Sequence, residues 1–455
     1  MAHTFKGGIH PDDKKSATSG KAIELLPAPA QVVLPMSMHI GKPCEPIVKV
    51  GDHVYLGQKI ADSQAPVSSP IHASVSGTVV AVEPRPYSFG SEILSVVIEN
   101  DFKDEKDPSI HPLDIDSMTS EEIVQAIREA GIVGHGGATF PTSVKISSGL
   151  GKVDAVIING AECEPYLNGD HLTMLNYPEQ LLKGIELVRI ASGVDKAYYG
   201  IEKNKQDAID LLNSLHPEKY GIEIGPEEVK YPQGAEKMQV NAVTGREVKP
   251  GGIPSGVGCN VVSTRTCYAI YQACYEGKPV IERIVTVAGS ALKAPVNGLT
   301  RVGTPFGYLA EQCGGFVKTP RKIVLGGPMM GICATSFDAP TIKGTAGVLF
   351  FTEEEDRHVD EPTCIRCGKC ITVCPMNLEP VFMYMYYSKG DFENMAKYHI
   401  TDCFECGSCA FNCPARMPLT HAFKTAKLMF QAKQMKEKAK AEAEAAAAAA
   451  KEAKQ

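Results

Sequence analysis

Two short runs near the C-terminal end of this 455-residue chain repeat one cysteine pattern. Cys364, Cys367, Cys370 and Cys374 are followed by Pro375, and Cys403, Cys406, Cys409 and Cys413 by Pro414. Three thiolates spaced two residues apart can reach three irons of one four-iron–four-sulfur cube. The fourth cysteine of such a run points away and completes the neighbouring cube, so two runs hold two [4Fe-4S] clusters with crossed ligands. The spacing assigns Cys364, Cys367, Cys370 and Cys413 to a first cluster, and Cys403, Cys406, Cys409 and Cys374 to a second. Structural zinc usually takes two CxxC pairs and has no use for a third cysteine and a CP. Ile365, Ile371, Val373, Phe404 and Phe411 lie among the ligands, where they would shield the sulfurs from water. Paired clusters carry electrons singly, so this end of the chain reads as a wire, and something must feed it. The seven remaining cysteines of the 15 are scattered and read as small buried hydrophobes.

A second constellation suits a ligand rather than a metal. Gly134-His135-Gly136-Gly137 lets backbone approach a bound molecule where side chains would obstruct it. It is not a dinucleotide fingerprint, because the third glycine is missing and the loop follows a helix pattern rather than a strand. A tight structural turn is the other reading. Downstream, Val153–Ile158 reads as a buried strand ending at Asn159, Glu162 and Glu164. In open α/β sheets, ligands bind beyond the carboxyl ends of strands. Carboxylates there suit ribose hydroxyls, a flavin ring or a carboxamide, or else cap a helix or join an ion pair.

These groups need elements to hold them. Thr119 and Glu122 form a capping box before an apolar stripe of Ile123, Ala126, Ile127 and Ala130, with Gly131 at its end. Pro178 opens a helix to about Ala191, Lys196–Ile201 reads as a strand and Asn204–Leu215 as a helix, so an α/β layer with parallel pairing is expected. Residues 1–100 show short β-runs broken by Gly and Pro. They resemble the barrel-sandwich fold of biotinyl and lipoyl carriers at Val50-Gly51-Asp52 and Ser76-Gly77-Thr78-Val79, but no lysine stands between Lys59 and Lys103 to be modified. The carrier role is therefore rejected and the fold kept. The expected architecture is multidomain α+β: a β domain over 1–100, an α/β domain over 101–281, a small β module over 282–350, a helical two-cluster ferredoxin-like domain over 351–430, and an Ala/Lys/Glu-rich tail over 431–455, solvated as a helix or frayed. A net charge of −7 gives no footprint for nucleic acid. No run approaches the roughly 18–20 apolar residues of a membrane span, and no secretion signal is visible, so a cytoplasmic chain is expected.

GHGGATFPTSVK, INGAECEPYLNGD and YPQGAEK resemble three motifs of the flavin-carrying, NADH-oxidising subunit of respiratory complex I. Their order, with a β domain before and two ferredoxin runs after, is similar to the family of C subunits of the Rnf complexes, membrane-bound ferredoxin:NAD oxidoreductases that pump sodium ions or protons. The resemblance covers nearly the whole chain apart from the tail. It implies non-covalent FMN contacted by Gly134, Gly136, Gly137, Lys145, Asn159, Glu162 and Gly234. It implies NAD(H) contacted by Phe140, Glu164 and Glu236, and a soluble-ligand-binding β-grasp module from about 282, there as a packing piece. It further implies partner subunits, ferredoxin reached indirectly, and a peripheral place on the cytoplasmic face of the membrane. No side-chain acid or nucleophile is required, so no catalytic residue is named. Thr139 replaces a glycine of the complex I pattern, Ala161 an acidic residue, and Ala235 one member of an acidic pair. Neither Asn260 nor Ser263 is assigned the family's asparagine role. Cobalamin-reducing proteins share this domain order, which makes a flavin/iron–sulfur corrinoid reductase the first alternative. A non-enzymatic iron–sulfur relay scaffold is the second.

Overall fold

The computed structural model describes residues 3–87, 90–356 and 359–452, with side chains described as far as residue 444; residues 453–455 of the expected tail lie outside this range. The chain forms two compact units, Met1–Phe5 with His10–Arg357, and Lys6–Ile9 with His358–Gln455.

In the first unit, β1 (Ile23–Leu25), β2 (Gln31–Pro35), β3 (Glu45–Pro46), β4 (His53–Val54), β5 (Lys59–Asp62), β6 (Ile71–His72), β7 (Gly77–Pro86) and β8 (Glu92–Asn100) come first. A four-stranded sheet, β2-β8-β7-β4, faces a three-stranded one, β3-β5-β6. Inward residues of both, among them Val32, Leu34, Ile60, Ile71 and Val96, make one core.

The α/β layer follows as α1 (Ser120–Glu129), α2 (Thr142–Gly149), β9 (Ala155–Gly160), α3 (Gly169–Asn176), α4 (Pro178–Ala191), β10 (Ala197–Glu202), α5 (Gln206–Ser214), β11 (Ile222–Glu227), α6 (Glu236–Thr244), β12 (Cys259–Ser263) and α7 (Thr264–Glu276). Both hydrogen bonds of the Thr119–Glu122 capping box form, and Pro178 occupies the first turn of α4. The sheet is wholly parallel in the order β11-β10-β9-β12. Parallel strands are covered on both faces, and β9 shows how. Val156 and Ile158 pack with Leu181, Ile185 and Ile270 of α4 and α7, while Ala155 and Ile157 pack with Val240 of α6. Each such fully buried aliphatic side chain contributes roughly 2 kcal/mol.

The last elements of this unit are β13 (Glu282–Ala288), β14 (Val296–Arg301), α8 (Phe306–Gln312), β15 (Lys322–Leu325), β16 (Ile332–Ala334) and β17 (Gly347–Phe351). Their sheet runs β1-β14-β13-β17-β15-β16. Here the structure departs from the expected segmentation, because β1 pairs in parallel with β14, about 270 residues on, rather than with a strand of the sandwich. The first strand thus staples the two ends of the unit, a pairing that local pattern cannot announce.

The second unit holds α9 (Lys369–Thr372), α10 (Pro380–Tyr387), α11 (Phe392–Lys397), α12 (Ser408–Phe411) and α13 (Leu419–Glu452). Its core joins Met383, Met395, Ile400, Leu419, Ala422 and Phe423. The expected tail is the continuation of α13, exposed over 431–444 and carrying (i, i+4) pairs such as Lys438–Glu442 and Lys440–Glu444. Among the described residues, no helix is long and apolar enough to cross a membrane.

Candidate functional site

Strand β9 lies between β10 and β12, so the strand order reverses beside it, and in such sheets ligands bind beyond the carboxyl ends of the strands at that point. Asn159 and Ser263 stand side by side there in register. The glycine loop closes on itself beside them, Gly134 N–H donating to the Phe140 carbonyl at 2.8 Å. His135 N–H pins it to Thr266 Oγ1 at 3.0 Å. Gly136 (φ 111°) and Gly137 (φ 57°) take conformations that side chains resist, and a Cβ on either would meet nothing within 4 Å, so their backbone borders open space. Thr139 also has positive φ (50°), and its methyl fills the room left by Gly344, where an added Cβ would lie 1.9 Å from it. The residue that replaces a glycine is thus accommodated by another glycine.

Two pairs of expected contacts meet. Lys145 of α2 forms an ion pair with Glu236 at the start of α6, and also donates to the Val261 carbonyl at 3.0 Å. Asn159 Nδ2 donates to the Gly234 carbonyl at 2.7 Å, and its Oδ1 accepts from Ala161 N–H at 3.1 Å. Gly234 has to be glycine, because a Cβ there would lie 2.4 Å from the Ala161 carbonyl. Phe140 is half-buried.

The acidic residues are placed differently. Glu162 is buried, and its two oxygens accept from Asp170 N–H (2.8 Å) and His171 N–H (3.2 Å) at the start of α3. Burial would raise its pKa, but Lys15, Arg265 and Lys205 hold it below the usual value. Its carboxylate therefore acts on a helix N-terminus, the capping alternative that the sequence pattern left open. Glu164 accepts from Met329 N–H (3.1 Å) and Met330 N–H (2.9 Å) in the loop between β15 and β16. Burial pushes its pKa up to about 7 against the pull of those bonds. The β module therefore reaches the strand end, beyond the packing role expected of it. The contact joins residues 165 apart, and its one local sign is the glycine-flanked Gly326-Gly327-Pro328-Met329-Met330-Gly331.

In the second unit, the two cysteine runs adopt one backbone. Arg366, Gly368 and Asn377 have positive φ, as do Glu405, Gly407 and Arg416 at the matching positions. Such residues are strained unless their surroundings over-determine them. Gly368 and Gly407 each start a one-turn helix that carries the third cysteine. Cys374, Cys403, Cys406 and Cys409 line one cavity walled by Leu378, Met383 and Phe423. The thiol of Cys409 is within electrostatic reach of Cys403, Cys406 and Cys374, and that of Cys370 within reach of Cys413 and Cys364. Glu405 N–H donates to Cys403 Sγ and Leu378 N–H to Cys374 Sγ, both at 3.3 Å. Burial pushes the Cys403 thiol up to about 12. Among the described residues, no three His, Cys, Asp or Glu side chains meet as a single ion would require. The four thiols of the second group line one cavity with apolar neighbours, a donor set whose chemistry suits an iron–sulfur cluster.

Four family models match the chain: an RnfC barrel sandwich hybrid domain over 3–103, a Nuo51 FMN-binding domain over 127–272, an SLBB domain over 284–332 and a 4Fe-4S dicluster domain over 357–414. The expected series of a barrel-sandwich β domain, an α/β domain, a small β module and a helical iron–sulfur region stands. Among curated proteins, the C subunit of the Na+-translocating ferredoxin:NAD+ oxidoreductase complex of Acetobacterium woodii is 43% identical over 95% of this chain and 98% of its own. The C subunit of the proton-translocating ferredoxin:NAD+ oxidoreductase complex of Clostridium ljungdahlii is 42% identical over 88% of each chain. The C subunit of the ion-translocating oxidoreductase complex of Rhodobacter capsulatus is 38% identical over 96% of this chain and 85% of its own.

Proposed function

The chain belongs to the RnfC family, the C subunits of Rnf complexes, and from that premise we propose that it is the NAD-binding electron input/output subunit of a membrane-bound ferredoxin:NAD oxidoreductase coupled to Na+ or H+ translocation. The observation that carries this reading is the end of β9, where Lys145, Glu236, Asn159 and Gly234 gather near glycine backbone that borders open space. When bound there, FMN would exchange electron pairs with nicotinamide and single electrons with clusters.

The residues have distinct tasks. Gly134, Gly136 and Gly137 would give the flavin close backbone approach, and Lys145 would supply it with a cation. Asn159 and Gly234 fix the floor. Glu162 positions the strand end through α3 rather than by its own contact. Phe140, Glu164 and Glu236 border the nicotinamide nucleotide. Glu164, poised near neutral pH, suits a carboxamide, which both donates and accepts. Cys364, Cys367, Cys370 and Cys413 hold one cluster, and Cys403, Cys406, Cys409 and Cys374 the other. The protein sits peripherally on the cytoplasmic face, held by the other subunits, and exchanges electrons with ferredoxin through them.

The test is anaerobic purification, iron–sulfide reconstitution, flavin assay and NADH titration. Bleaching of flavin and cluster absorbance is expected. Flavin present but unbleached would overturn NAD(H) as the donor, and turnover with a cobalamin acceptor would redirect the reading to corrinoid reduction. Lys145→Met should weaken FMN binding about tenfold, the loss of one charge-assisted contact.

A further inference from the structure

Strand β11 ends at Glu227, which is fully buried and stands in register with Glu202 at the end of β10. The charged groups that face it are Glu202 and, in the turn after β10, Lys205, and these two pair with each other at 2.8 Å. His3, whose backbone bridges to Glu227, turns its ring to the Ala242 carbonyl at 2.9 Å. An ionised carboxylate buried without a cation of its own is strongly unfavourable. Gln239 of α6 donates from Nε2 to Glu227 Oε2 at 2.8 Å and to the Gln233 carbonyl at 3.0 Å. A carbonyl only accepts, so the second bond fixes which way the amide points. Glu227 Oε1 and Gln239 Oε1 are then two buried acceptors without a donor. Both border one spot, since a Cβ on Gly200 would lie 2.2 Å from the first and 3.1 Å from the second. The Gln233 side chain is close to the same carboxyl, but its amide makes no hydrogen bond. One hydrogen on Glu227 Oε1, donated to Gln239 Oε1, answers both orphaned oxygens.

We propose that Glu227 is held as a neutral carboxylic acid in a two-bond pair with the Gln239 amide, and that this pair positions the turn over residues 233–236. Burial, with the Glu202 charge beside it, pushes the Glu227 pKa up to about 8. Gln239 ties the pair to the Gln233 carbonyl, the next carbonyl, of Gly234, accepts from Asn159, and Glu236 pairs with Lys145. Glu227 thus acts on the turn through Gln239 and is a positioning residue. Loss of its proton removes the O–H donor and sets a second negative charge against Glu202, which loosens the turn above about pH 8. The consequence for FMN rests on the flavin reading above, whereas the protonation of Glu227 does not.

The full chain with reconstituted clusters should be compared with Glu227→Gln, in which an N–H that does not titrate replaces the O–H. In infrared spectra the wild-type chain should show a carboxylic C=O band that fades as pH rises through about 8 and that is missing in Glu227→Gln. The folded chain keeps this proton while an unfolded chain gives it up near 4.5. The wild-type Tm should therefore fall relative to that of Glu227→Gln between about pH 4.5 and 8, and run parallel to it above. FMN affinity, read by flavin fluorescence, should drop about fivefold more from pH 7 to 9 in the wild type than in Glu227→Gln, the effect of one lost hydrogen bond. A band that persists in Glu227→Gln, no such band in the wild type, or a Glu227→Gln chain that is unfolded or less stable than the wild type at every pH would overturn the neutral acid. A titrating band with equal FMN responses in the two proteins would overturn the positioning role. FMN binding to neither protein, with the band still titrating, would count against the flavin reading and leave the acid–amide pair standing.

Discussion

The two cysteine runs share one spacing and one backbone yet stand in different surroundings. Cys364 and Cys367 are exposed and Cys370 is half-buried, whereas Cys406 and Cys409 are buried and Cys403 is half-buried. The difference comes from what packs on them. Leu419, Ala422, Phe423 and Ala426 of α13, with Met383 of α10, close over the second run, and Lys427 donates to the Cys403 carbonyl at 2.9 Å while pairing with Glu405. Spacing thus sets which metal group can be held, and flanking helices set its dielectric and its access to water, the levers that tune potential and stability.

The crossed assignment is the largest claim in this comparison. Cys374→Ala should remove the cluster of the second run, halving iron and sulfide, and Cys413→Ala should remove that of the first. The check is non-additivity. Cys374→Ala combined with Cys406→Ala should lose no more iron than either alone, whereas Cys374→Ala combined with Cys367→Ala should lose nearly all of it. The reverse pattern would show that each run keeps its own cluster.

Exposure should separate the two clusters in time. Under oxygen or an iron chelator, iron release should show a fast and a slow phase of about equal size, with the fast phase missing in Cys413→Ala. A single phase in the wild-type chain would mean that the cover over the second run has no protective effect.

Charge gives a smaller contrast. Lys427 is a cation beside the second run, and reduction adds negative charge, so Lys427→Met should lower the potential of that cluster by about 40 mV, roughly 1 kcal/mol for one electron. The first-run cluster should not move. Redox titration followed by electron paramagnetic resonance would read both, and equal shifts would remove the distinction.

How much of this was legible in the sequence follows the range of each interaction. The cysteine spacing, the capping box at Thr119 and Glu122 and the proline opening α4 are local signals, and the capping box and the proline have their expected structural counterparts. The strand end at Asn159 and the turn at the glycine loop are local signals of the same kind. The role of Glu162 was not, because the residues it caps, Asp170 and His171, become neighbours only after the chain turns through Asn168. Glu164 with Met329, β1 with β14, and His135 with Arg283 are joined across more than a hundred residues, and nothing in a short window encodes them. Even the exposure of Cys364 against the burial of Cys406 comes from the first turns of α13, residues that follow the second run and that no spacing assigns to one run rather than the other.

The finest contrast is in the backbone itself. Arg366 and Glu405 occupy matching left-handed positions, φ 57° and 61°, where an L-residue loses roughly 1–2 kcal/mol relative to glycine. Glycine's freedom in the unfolded chain takes back about 0.4–1 kcal/mol. Arg366 is exposed, so Arg366→Gly should gain the remainder, on the order of 0.5 kcal/mol. Glu405→Gly relieves the same strain but loses the partly buried pair with Lys427, worth no more than about 1 kcal/mol, and should come out near zero or slightly destabilising. Hydrogen exchange of peptides spanning 360–376 and 400–416 in the full chain would resolve this, since local opening reports each run separately. Slower exchange over the first span only is expected. Equal slowing in both would mean that the ion pair contributes nothing and that the two runs differ in cover alone.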